Sequence, residues 1–268
     1  MQDSTPTRLP ASFDTPVKVV FTDVDDTLTW EGKLPPETFL ALERLRRSGI
    51  KVVPVTGASA GWCDCIVRTW PVESVIGENG SFWMQRNASG HVIRTFRETE
   101  SRRNDNNRRL KALGSEVMHR FPEIGYTQDQ PFRLTDMAFD IAQQAQVPLD
   151  VAHAATEWLK AQTEVSARLS SIHLNVWIGD YNKADTALAW LNQHHPELSA
   201  EHCAFIGDSP NDEAMFEHFP RSIGVANIQR FLAHMQHQPR YITENTGGYG
   251  FVELSECLLK GLTEDTTL

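Results

Sequence analysis

The sequence lacks the features that mark membrane, secreted and nucleic-acid-binding proteins. No apolar run approaches the ~20 residues that a membrane-spanning helix needs. Basic residues are in deficit, 25 against 35 acidic residues, and the net charge of −10 argues against a general binder of nucleic acid or of a membrane surface. The polar segment 1–16 has no cationic and apolar signal pattern. We therefore expect a cytoplasmic protein with a loose N-terminal tail over residues 1–15.

Cysteine is also scarce. The chain has four cysteines, at Cys63, Cys65, Cys203 and Cys257. Only Cys63 and Cys65 are close in sequence, and residues two apart do not share a helix face. The spacing therefore predicts buried thiols rather than a zinc site or a disulfide framework.

Apolar residues recur in a pattern that is typical of an α/β protein. Strands are predicted at Val17–Phe21, Ile50–Val55 and Val75–Ile76, separated by helices, and the same alternation returns over residues 180–262. Such alternation favours a parallel sheet with helices on both faces. We therefore predict a Rossmann-like core formed by residues 16–84 and 180–262, followed by a tail over residues 263–268.

The segment between these two parts, residues 85–179, follows a different pattern. Strands are predicted near His91–Phe96, Met137–Ile141 and Ile172–Ile178. Two helices separate them, and Asp150 is expected to cap the second. We interpret this segment as an inserted α+β domain. Its many basic residues suit a solvated helix face better than an anion site.

The block Asp23-Val24-Asp25-Asp26-Thr27 follows the first predicted strand. Ligands of open α/β sheets bind at the carboxyl ends of the strands. Crowded carboxylates repel one another unless a cation neutralises them, so the block favours a divalent-metal site. Asp23 can act as a nucleophile toward phosphorus, and Asp25 can exchange a proton with a leaving oxygen. Turn and capping aspartates would produce the same pattern, so this block leaves both interpretations open.

Thr56 and Lys183 can each be interpreted either as binding residues or as residues with a purely structural role. Thr56 follows the second strand at a helix start, where a hydroxyl and backbone N–H groups suit a phosphate oxygen. An ordinary strand-to-helix turn would look the same. Lys183 follows Asn182, a good N-cap, and a lysine there opposes the helix dipole, which indicates an anionic partner. A solvated lysine is the alternative.

A second acidic block, residues 207–212, follows the predicted strand 203–206. Asp212 fits the first turn of a helix capped by Ser209. That role does not explain Asp208, which lies at the mouth of its strand as Asp23 does. An acidic residue at a second strand end is what an oxygen-liganded Mg²⁺ needs.

The four blocks, in this order, resemble the motifs of the haloacid dehalogenase superfamily of phosphohydrolases. The matching residues are Asp23, Asp25 and Thr27 for Asp-x-Asp-x-Thr, Thr56 for the second motif, Lys183 for the third, and Gly207, Asp208 and Asp212 for Gly-Asp-x-x-x-Asp. The long insert and the sequence Glu78-Asn79-Gly80 are similar to the Cof-like branch. That branch includes sucrose-phosphate, trehalose-phosphate and mannosyl-phosphoglycerate phosphatases.

The resemblance implies a role for each matching residue. Asp23 would be the phosphorylated nucleophile and Asp25 the general acid/base. Mg²⁺ would bind the Asp23 carboxylate, the Asp25 backbone carbonyl and Asp208. Thr56, Gly57 and Lys183 would contact the phosphoryl group or the rest of the substrate. Asp212 would support the metal, and Asn211 would do both. Two positions depart from the family pattern: Asp26, where glycine is common, and Ala58, where arginine is common.

These expectations converge on a Mg²⁺-dependent phosphomonoesterase acting on a small, sugar-like phosphate ester. The protein is expected to be a monomer or a weak homodimer. A phosphomutase of the same fold is the first alternative, because Asp23 and Asp25 suit both reactions. A non-enzymatic phospho-accepting module of the receiver type is the second, although such modules have about half this length (one domain of ~100–150 residues).

Overall fold

The computed structural model describes residues 5–170 and 172–264; residues 1–4 and 265–268 of the two expected tails lie outside the described residues. The helices are α1 (Pro36–Arg47), α2 (Ala60–Thr69), α3 (Glu100–Arg120), α4 (Leu149–Lys160), α5 (Lys183–His194), α6 (Glu213–His218) and α7 (Gly247–Glu264). The strands are β1 (Thr7–Arg8), β2 (Val19–Thr22), β3 (Lys51–Pro54), β4 (Ser74–Gly77), β5 (Phe82–Arg86), β6 (Val92–Phe96), β7 (Gly125–Tyr126), β8 (Asp136–Asp140), β9 (Val165–Leu169), β10 (His173–Ile178), β11 (Cys203–Gly207), β12 (Arg221–Gly224) and β13 (Tyr241–Ile242).

A six-stranded parallel sheet forms the centre of the molecule. Its strand order is β1-β13-β12-β11-β2-β3, and every neighbouring pair is parallel. Side chains alternate between the faces of each strand. Phe21 of β2 therefore packs with Trp190 of α5 on one face, while Val20 packs with Leu42 of α1 and Phe251 of α7 on the other. The predicted α/β class, a parallel sheet covered on both faces, is confirmed.

The strand predicted at Val75–Ile76 exists but does not continue the parallel sheet. It lies in β4, which pairs with β5 in an antiparallel three-stranded sheet, β4-β5-β6, and meets β3 through the single bridge Val55↔Ile76. The reason is the turn after β4, where Glu78, Asn79 and Gly80 have φ angles of 45°, 59° and 105°. A Cβ on Gly80 would lie 2.3 Å from the carbonyl oxygen of Asn182, so glycine is required there.

A four-stranded antiparallel sheet, in the order β7-β8-β10-β9, lies between the two parts of the parallel sheet in sequence. One face packs on α3 and α4 through side chains such as Leu110, Leu159 and Leu174. Asp150 lies in the first turn of α4, whose N-cap is Pro148, so the predicted capping role is wrong. Arginines of α3 form exposed ion pairs, as expected of a solvated face: Arg102 and Arg109 with Glu164, and Arg108 with Asp105.

The segment expected to be a loose N-terminal tail is ordered in part. Thr7–Arg8 pair with β13 in parallel, and Leu9 and Phe13 pack against the core. The strand is explained by the open edge of β13, whose unpaired backbone groups favour a further strand. Cys63, Cys203 and Cys257 are buried free thiols, as predicted, whereas Cys65 is exposed. None of the helices in the described part of the chain is long and apolar enough to cross a bilayer.

Candidate active site

The site lies where β2 and β11 end side by side. Asp23 follows β2 directly, and its backbone N–H donates a hydrogen bond of 2.9 Å to the carbonyl of Ile206 in β11. This pairing brings Asp23 and Asp208 to the same edge of the sheet. One carboxylate oxygen from each of Asp23, Asp208 and Asp212 lies within 4.8 Å of the others, and all three residues are buried. The two acidic blocks thus form one cluster, although about 180 residues separate them in sequence.

Lys183 is the cation inside this cluster. It begins α5 and is only 5% exposed. Its Nζ lies 2.6 Å from Asp23 Oδ1 and 2.8 Å from Asp212 Oδ1. Burial alone would lower the pKa of Lys183, but the carboxylates of Asp212 and Asp23 outweigh it and raise that pKa. The anionic partner indicated by a lysine at a helix start is therefore this pair of aspartates.

The cluster carries more negative charge than Lys183 balances. Burial raises the pKa of Asp23 well above its usual value; Lys183 opposes this shift, and Asp212 and Asp208 add to it. Burial, followed by the charge of Asp212, raises the pKa of Asp208 to about 7. Three carboxylates and one ammonium leave two negative charges when all are ionised. The donor set fits a divalent cation that prefers oxygen ligands, such as Mg²⁺.

Asp212 holds the other members in place. Its side chain is fully buried, its Oδ1 accepts from Lys183, and its Oδ2 accepts from the backbone N–H of Asp208 at 3.2 Å. A Cβ on Gly207 would lie 2.4 Å from Asp212 Oδ2. Glycine at position 207 is therefore what lets this carboxylate approach the end of β11, which explains the Gly-Asp-x-x-x-Asp spacing.

Asp25 lies at the mouth of the site. Its side chain is exposed to solvent, although the protein atoms around it desolvate part of the carboxyl group. Burial and then the neighbouring charge of Asp26 raise the pKa of Asp25, while Lys183 and Arg133 oppose the shift. Its carboxyl group does not belong to the three-aspartate cluster. A raised pKa extends the protonated form of this carboxyl group to higher pH, which suits an acid catalyst.

Asp26 occupies a left-handed turn, with φ of 56°. Glycine adopts this conformation most readily, and aspartate is one of the few other residues that tolerate it. The carbonyl of Asp26 accepts a hydrogen bond of 3.0 Å from Asn227, whose amide also lies 3.2 Å from Asp208 Oδ2. Asn227 was missed from the sequence because no local pattern links it to either acidic block.

Thr56, Gly57 and Asn211 border the same region. Thr56 is buried, and its hydroxyl accepts a hydrogen bond of 3.0 Å from the N–H of Ala58, as in an ordinary turn. A Cβ on Gly57 would lie 3.0 Å from Asn79 Oδ1. Asn211 accepts from Ser209 at 2.7 Å.

A cavity of about 370 Å³ opens beside the aspartate cluster. Lys183 and Asn211 line one part of its wall, and Arg168 and Trp177 of the four-stranded sheet line another. The volume lies within the range of small-molecule sites, ~300–1,000 Å³. The core and the four-stranded sheet therefore enclose a common space next to Asp23.

A buried polar network joins these two parts of the molecule. Glu78 is fully buried and accepts backbone hydrogen bonds from the start of α2 and from the chain leading into β8. The donors are the N–H groups of Ala60 (2.9 Å), Leu134 (2.9 Å), Thr135 (2.7 Å) and Asp136 (3.2 Å). Arg133 donates to the carbonyl of Gly57 at 3.1 Å and to Asp136 Oδ1 at 2.9 Å. The network fixes the Thr56–Gly57 turn relative to the four-stranded sheet.

Comparison with known proteins agrees with this geometry. A family model for haloacid dehalogenase-like hydrolases matches residues 126–245. A phosphoglycolate phosphatase of Methanobrevibacter smithii is 22% identical over 242 residues, which cover 90% of this chain and 97% of the relative. Both matches connect the chain to hydrolases, and the second connects it to phosphatases.

Solved structures share the fold at low sequence identity. A Thermoplasma acidophilum protein has a TM-score of 0.72 and 16% identity, covering 91% of this chain and 99% of its own. The sucrose-phosphatase of Synechocystis, solved with sucrose and phosphate, has a TM-score of 0.64 and 18% identity, covering 90% and 97%. A HAD/COF-like hydrolase of Plasmodium vivax has a TM-score of 0.68 and 16% identity, covering 94% and 98%. The chain is therefore similar to haloacid dehalogenase-like hydrolases over residues 126–245, and it shares the fold of a sucrose-phosphatase and of a HAD/COF-like hydrolase.

Proposed function

We propose that the protein is a Mg²⁺-dependent phosphomonoesterase that cleaves a small, sugar-like phosphate ester through an aspartyl-phosphate on Asp23. The proposal rests on one observation above all. Asp23 lies at a strand end with Lys183 at 2.6 Å and with carboxylate oxygens of Asp208 and Asp212 within 4.8 Å. The phosphoglycolate phosphatase and sucrose-phosphatase among the similar proteins support a small phosphorylated substrate.

Asp23 attacks the phosphorus atom in this mechanism. One carboxylate oxygen forms the new P–O bond, and the bond to the alcohol oxygen breaks. Lys183 orients the attacking carboxylate and offsets negative charge on the phosphoryl oxygens during transfer. The hydroxyl of Thr56 and the backbone N–H of Gly57 bind another phosphoryl oxygen in the turn before α2. Asn211 contacts the substrate from the cavity wall.

Asp25 transfers a proton in both half-reactions, first as general acid and then as general base. In its protonated form it gives a proton to the leaving alcohol oxygen. As a carboxylate it then takes a proton from the water that attacks the aspartyl-phosphate, which releases inorganic phosphate and regenerates Asp23. Its raised pKa and its position at the water-accessible mouth suit these two duties.

Asp23, Asp208 and the backbone carbonyl of Asp25 would hold the metal, and Asp212 supports them through Lys183 and the Asp208 N–H. When bound, Mg²⁺ offsets the charge of the carboxylates and of the incoming phosphate. Residues 85–179 act as a cap that limits the access of water to this site.

Release of inorganic phosphate by the purified protein tests the proposal. The substrates are p-nitrophenyl phosphate and a panel of sugar phosphates, each assayed with Mg²⁺ and with a chelator. Asp23→Asn is expected to lower kcat at least about 1,000-fold, while Asp105→Asn, at an exposed helix position, leaves it unchanged. Full activity of Asp23→Asn would contradict the mechanism. An isomerised sugar phosphate without phosphate release would indicate the phosphomutase instead.

A further inference from the structure

The four-stranded sheet has one apolar face and one polar face. In β10, Leu174 and Val176 are buried against the helices of this unit, while Asn175 and Trp177 alternate with them on the opposite face. The antiparallel register places Asn175 directly across from Arg168 of β9. Residues opposite each other in such a pair project from the same face of the sheet. Arg168 and Trp177 both line the cavity beside Lys183.

Asn175 is a buried amide with an unused acceptor. It is 6% exposed, and its Oδ1 has no hydrogen-bond partner among the described residues. Its Nδ2 lies 3.6 Å from the position that a Cβ would take on Gly57, directly after Thr56. Buried polar atoms are nearly always hydrogen-bonded. The Asn175 Oδ1 atom is therefore available to accept a hydrogen bond from a bound molecule.

Arg168 is a cation without a carboxylate partner. It is exposed, and it forms no ion pair or side-chain hydrogen bond with any residue that the structure describes. Lys183, the other cation of the cavity wall, already contacts Asp23 and Asp212. The guanidinium of Arg168 is therefore the unbalanced positive group of the cavity.

The acidic residues of the cavity wall, Glu213 and Glu217, have polar partners other than Arg168. Glu213 accepts hydrogen bonds from the backbone N–H groups of Gln236 and His237, at 3.0 and 3.2 Å. Glu217 lies 3.8 Å from the ring of His237. These carboxylates are held on the wall that α6 and residues 236–237 form, and no ion pair joins either of them to Arg168.

We propose that Arg168 and Asn175 bind the alcohol part of the substrate and select one that carries a carboxylate. The substrate class is a phosphate monoester of a hydroxy acid or sugar acid. Arg168 presents a planar fork of N–H donors that matches a carboxylate, and Asn175 Oδ1 accepts a hydrogen bond from a substrate hydroxyl. This inference rests on the proposed phosphatase function and identifies the part of the substrate that does not react.

Two substrates that differ mainly in the carboxylate test this selection. 3-Phosphoglycerate carries a carboxylate where glycerol 3-phosphate carries a hydroxymethyl group. Arg168→Gln is expected to lower kcat/KM for 3-phosphoglycerate about 10- to 100-fold, mainly through KM, because a charge-assisted pair is lost. Turnover of glycerol 3-phosphate and p-nitrophenyl phosphate is expected to change less than about twofold. Arg94→Gln, at an exposed arginine of β6 outside the cavity wall, is the matched control.

Equal losses for the two glycerol derivatives, or no loss for either, would overturn the selection by Arg168. Absence of metal-dependent turnover with every substrate, p-nitrophenyl phosphate included, would instead count against the proposed function. In that case binding of D-glycerate, measured by calorimetry on the wild-type protein and on Arg168→Gln, decides the inference alone. Binding weakened at least about tenfold by the substitution supports it. Absence of D-glycerate binding to the wild type, or equal binding to both proteins, overturns it.

Discussion

The ammonium of Lys183 lies 2.6 Å from the carboxylate of Asp23, and both groups are almost completely removed from solvent. The same ammonium reaches Asp212 at 2.8 Å. A buried charge is tolerated only when it is paired and hydrogen-bonded. Lys183 is therefore as necessary for keeping the aspartates together as for any contact with a phosphoryl group.

Replacing Lys183 with methionine is expected to destabilise the metal-free protein. The substitution leaves Asp23 and Asp212 as buried like charges, and breaking a buried pair in this way costs about 3–5 kcal/mol. Lys160→Met removes an exposed lysine 2.8 Å from Glu157, and is expected to cost less than about 1 kcal/mol. Urea denaturation in the presence of a chelator measures both. Similar losses for the two variants would show that the Lys183 pairs contribute little.

Asp25→Asn is expected to separate proton transfer from phosphoryl transfer. Loss of a general acid slows turnover about 100- to 10,000-fold when the leaving alcohol needs a proton. p-Nitrophenol leaves as a stable anion, so p-nitrophenyl phosphate is expected to be cleaved with a much smaller loss in the burst phase. Rapid-quench kinetics with this ester and with an alkyl phosphate measure the difference. The same loss for both leaving groups would remove Asp25 from the role of acid.

Mg²⁺ is expected to raise the melting temperature of the protein, and a chelator is expected to reverse the increase. Binding to the folded state alone stabilises it by about 2.7 kcal/mol when the metal is present at 100 times its Kd. Asp208→Asn removes one carboxylate of the cluster and is expected to abolish the response, whereas Asp150→Asn, on an exposed turn of α4, preserves it. Differential scanning calorimetry checks both variants, and an undiminished response in Asp208→Asn would place the metal elsewhere.

Glu78→Gln is expected to destabilise the protein by about 2–4 kcal/mol, because an amide NH₂ would face backbone N–H donors in a buried place. Glu116→Gln, on the exposed side of α3, is the control and is expected to change stability by less than about 0.5 kcal/mol. Denaturant titration compares the two. A Glu78 variant as stable as the control would mean that the four backbone hydrogen bonds to this carboxylate contribute little.

The environment of His173 predicts that the folded protein loses stability as the pH falls below neutral. Burial lowers the pKa of His173 and Arg133 lowers it further, while Asp129 and Asp140 oppose the shift. The unfolded chain, with an ordinary histidine pKa of about 6.5, therefore binds a proton before the folded chain does. The contribution of His173 to the free energy of unfolding is complete above the pKa of the unfolded chain. It is lost as the pH drops toward the pKa of the folded chain, at most by about 1.4 kcal/mol per pH unit.

Unfolding free energies measured from pH 8 to pH 5 are expected to show that loss. His173→Gln cannot titrate, so its stability is expected to fall less steeply over this range. His153→Gln, on the exposed side of α4, is expected to follow the wild type. Parallel curves for the wild type and His173→Gln would contradict the assignment.

Local patterns in the sequence were sufficient to predict those strands and helices whose positions depend on neighbouring residues. The buried strand before Asp23 and the helix that begins at Lys183 lie where the apolar period and the cap Asn182 indicated. The predicted helix start at Ser209 is instead a short 3-10 helix, Pro210–Asp212, in which the Ser209 side chain makes no capping hydrogen bond. Asp23 and Asp208 lie at the ends of adjacent parallel strands, and Lys183 and Asp212 contact one another beside them.

Other parts depend on partners that are distant in sequence. The antiparallel pairing of β4 follows from a left-handed turn at Glu78–Gly80, which hydrogen bonds from residues 134–136 support. Asn227 follows β12 and reaches Asp208 through the pairing of β12 with β11. Neither relationship leaves a periodic signal in the neighbouring sequence, so neither was predicted.

The 160 residues between Asp23 and Lys183 also have a consequence for the timing of synthesis. A ribosome adds ~5–20 residues per second, so Lys183 follows Asp23 by roughly 8–32 s. During that interval the acidic end of β2 has no ammonium group beside it. The proposed phosphatase activity also needs Asp208, which follows β11, so its first appearance on a nascent chain would report the moment at which β11 joins β2.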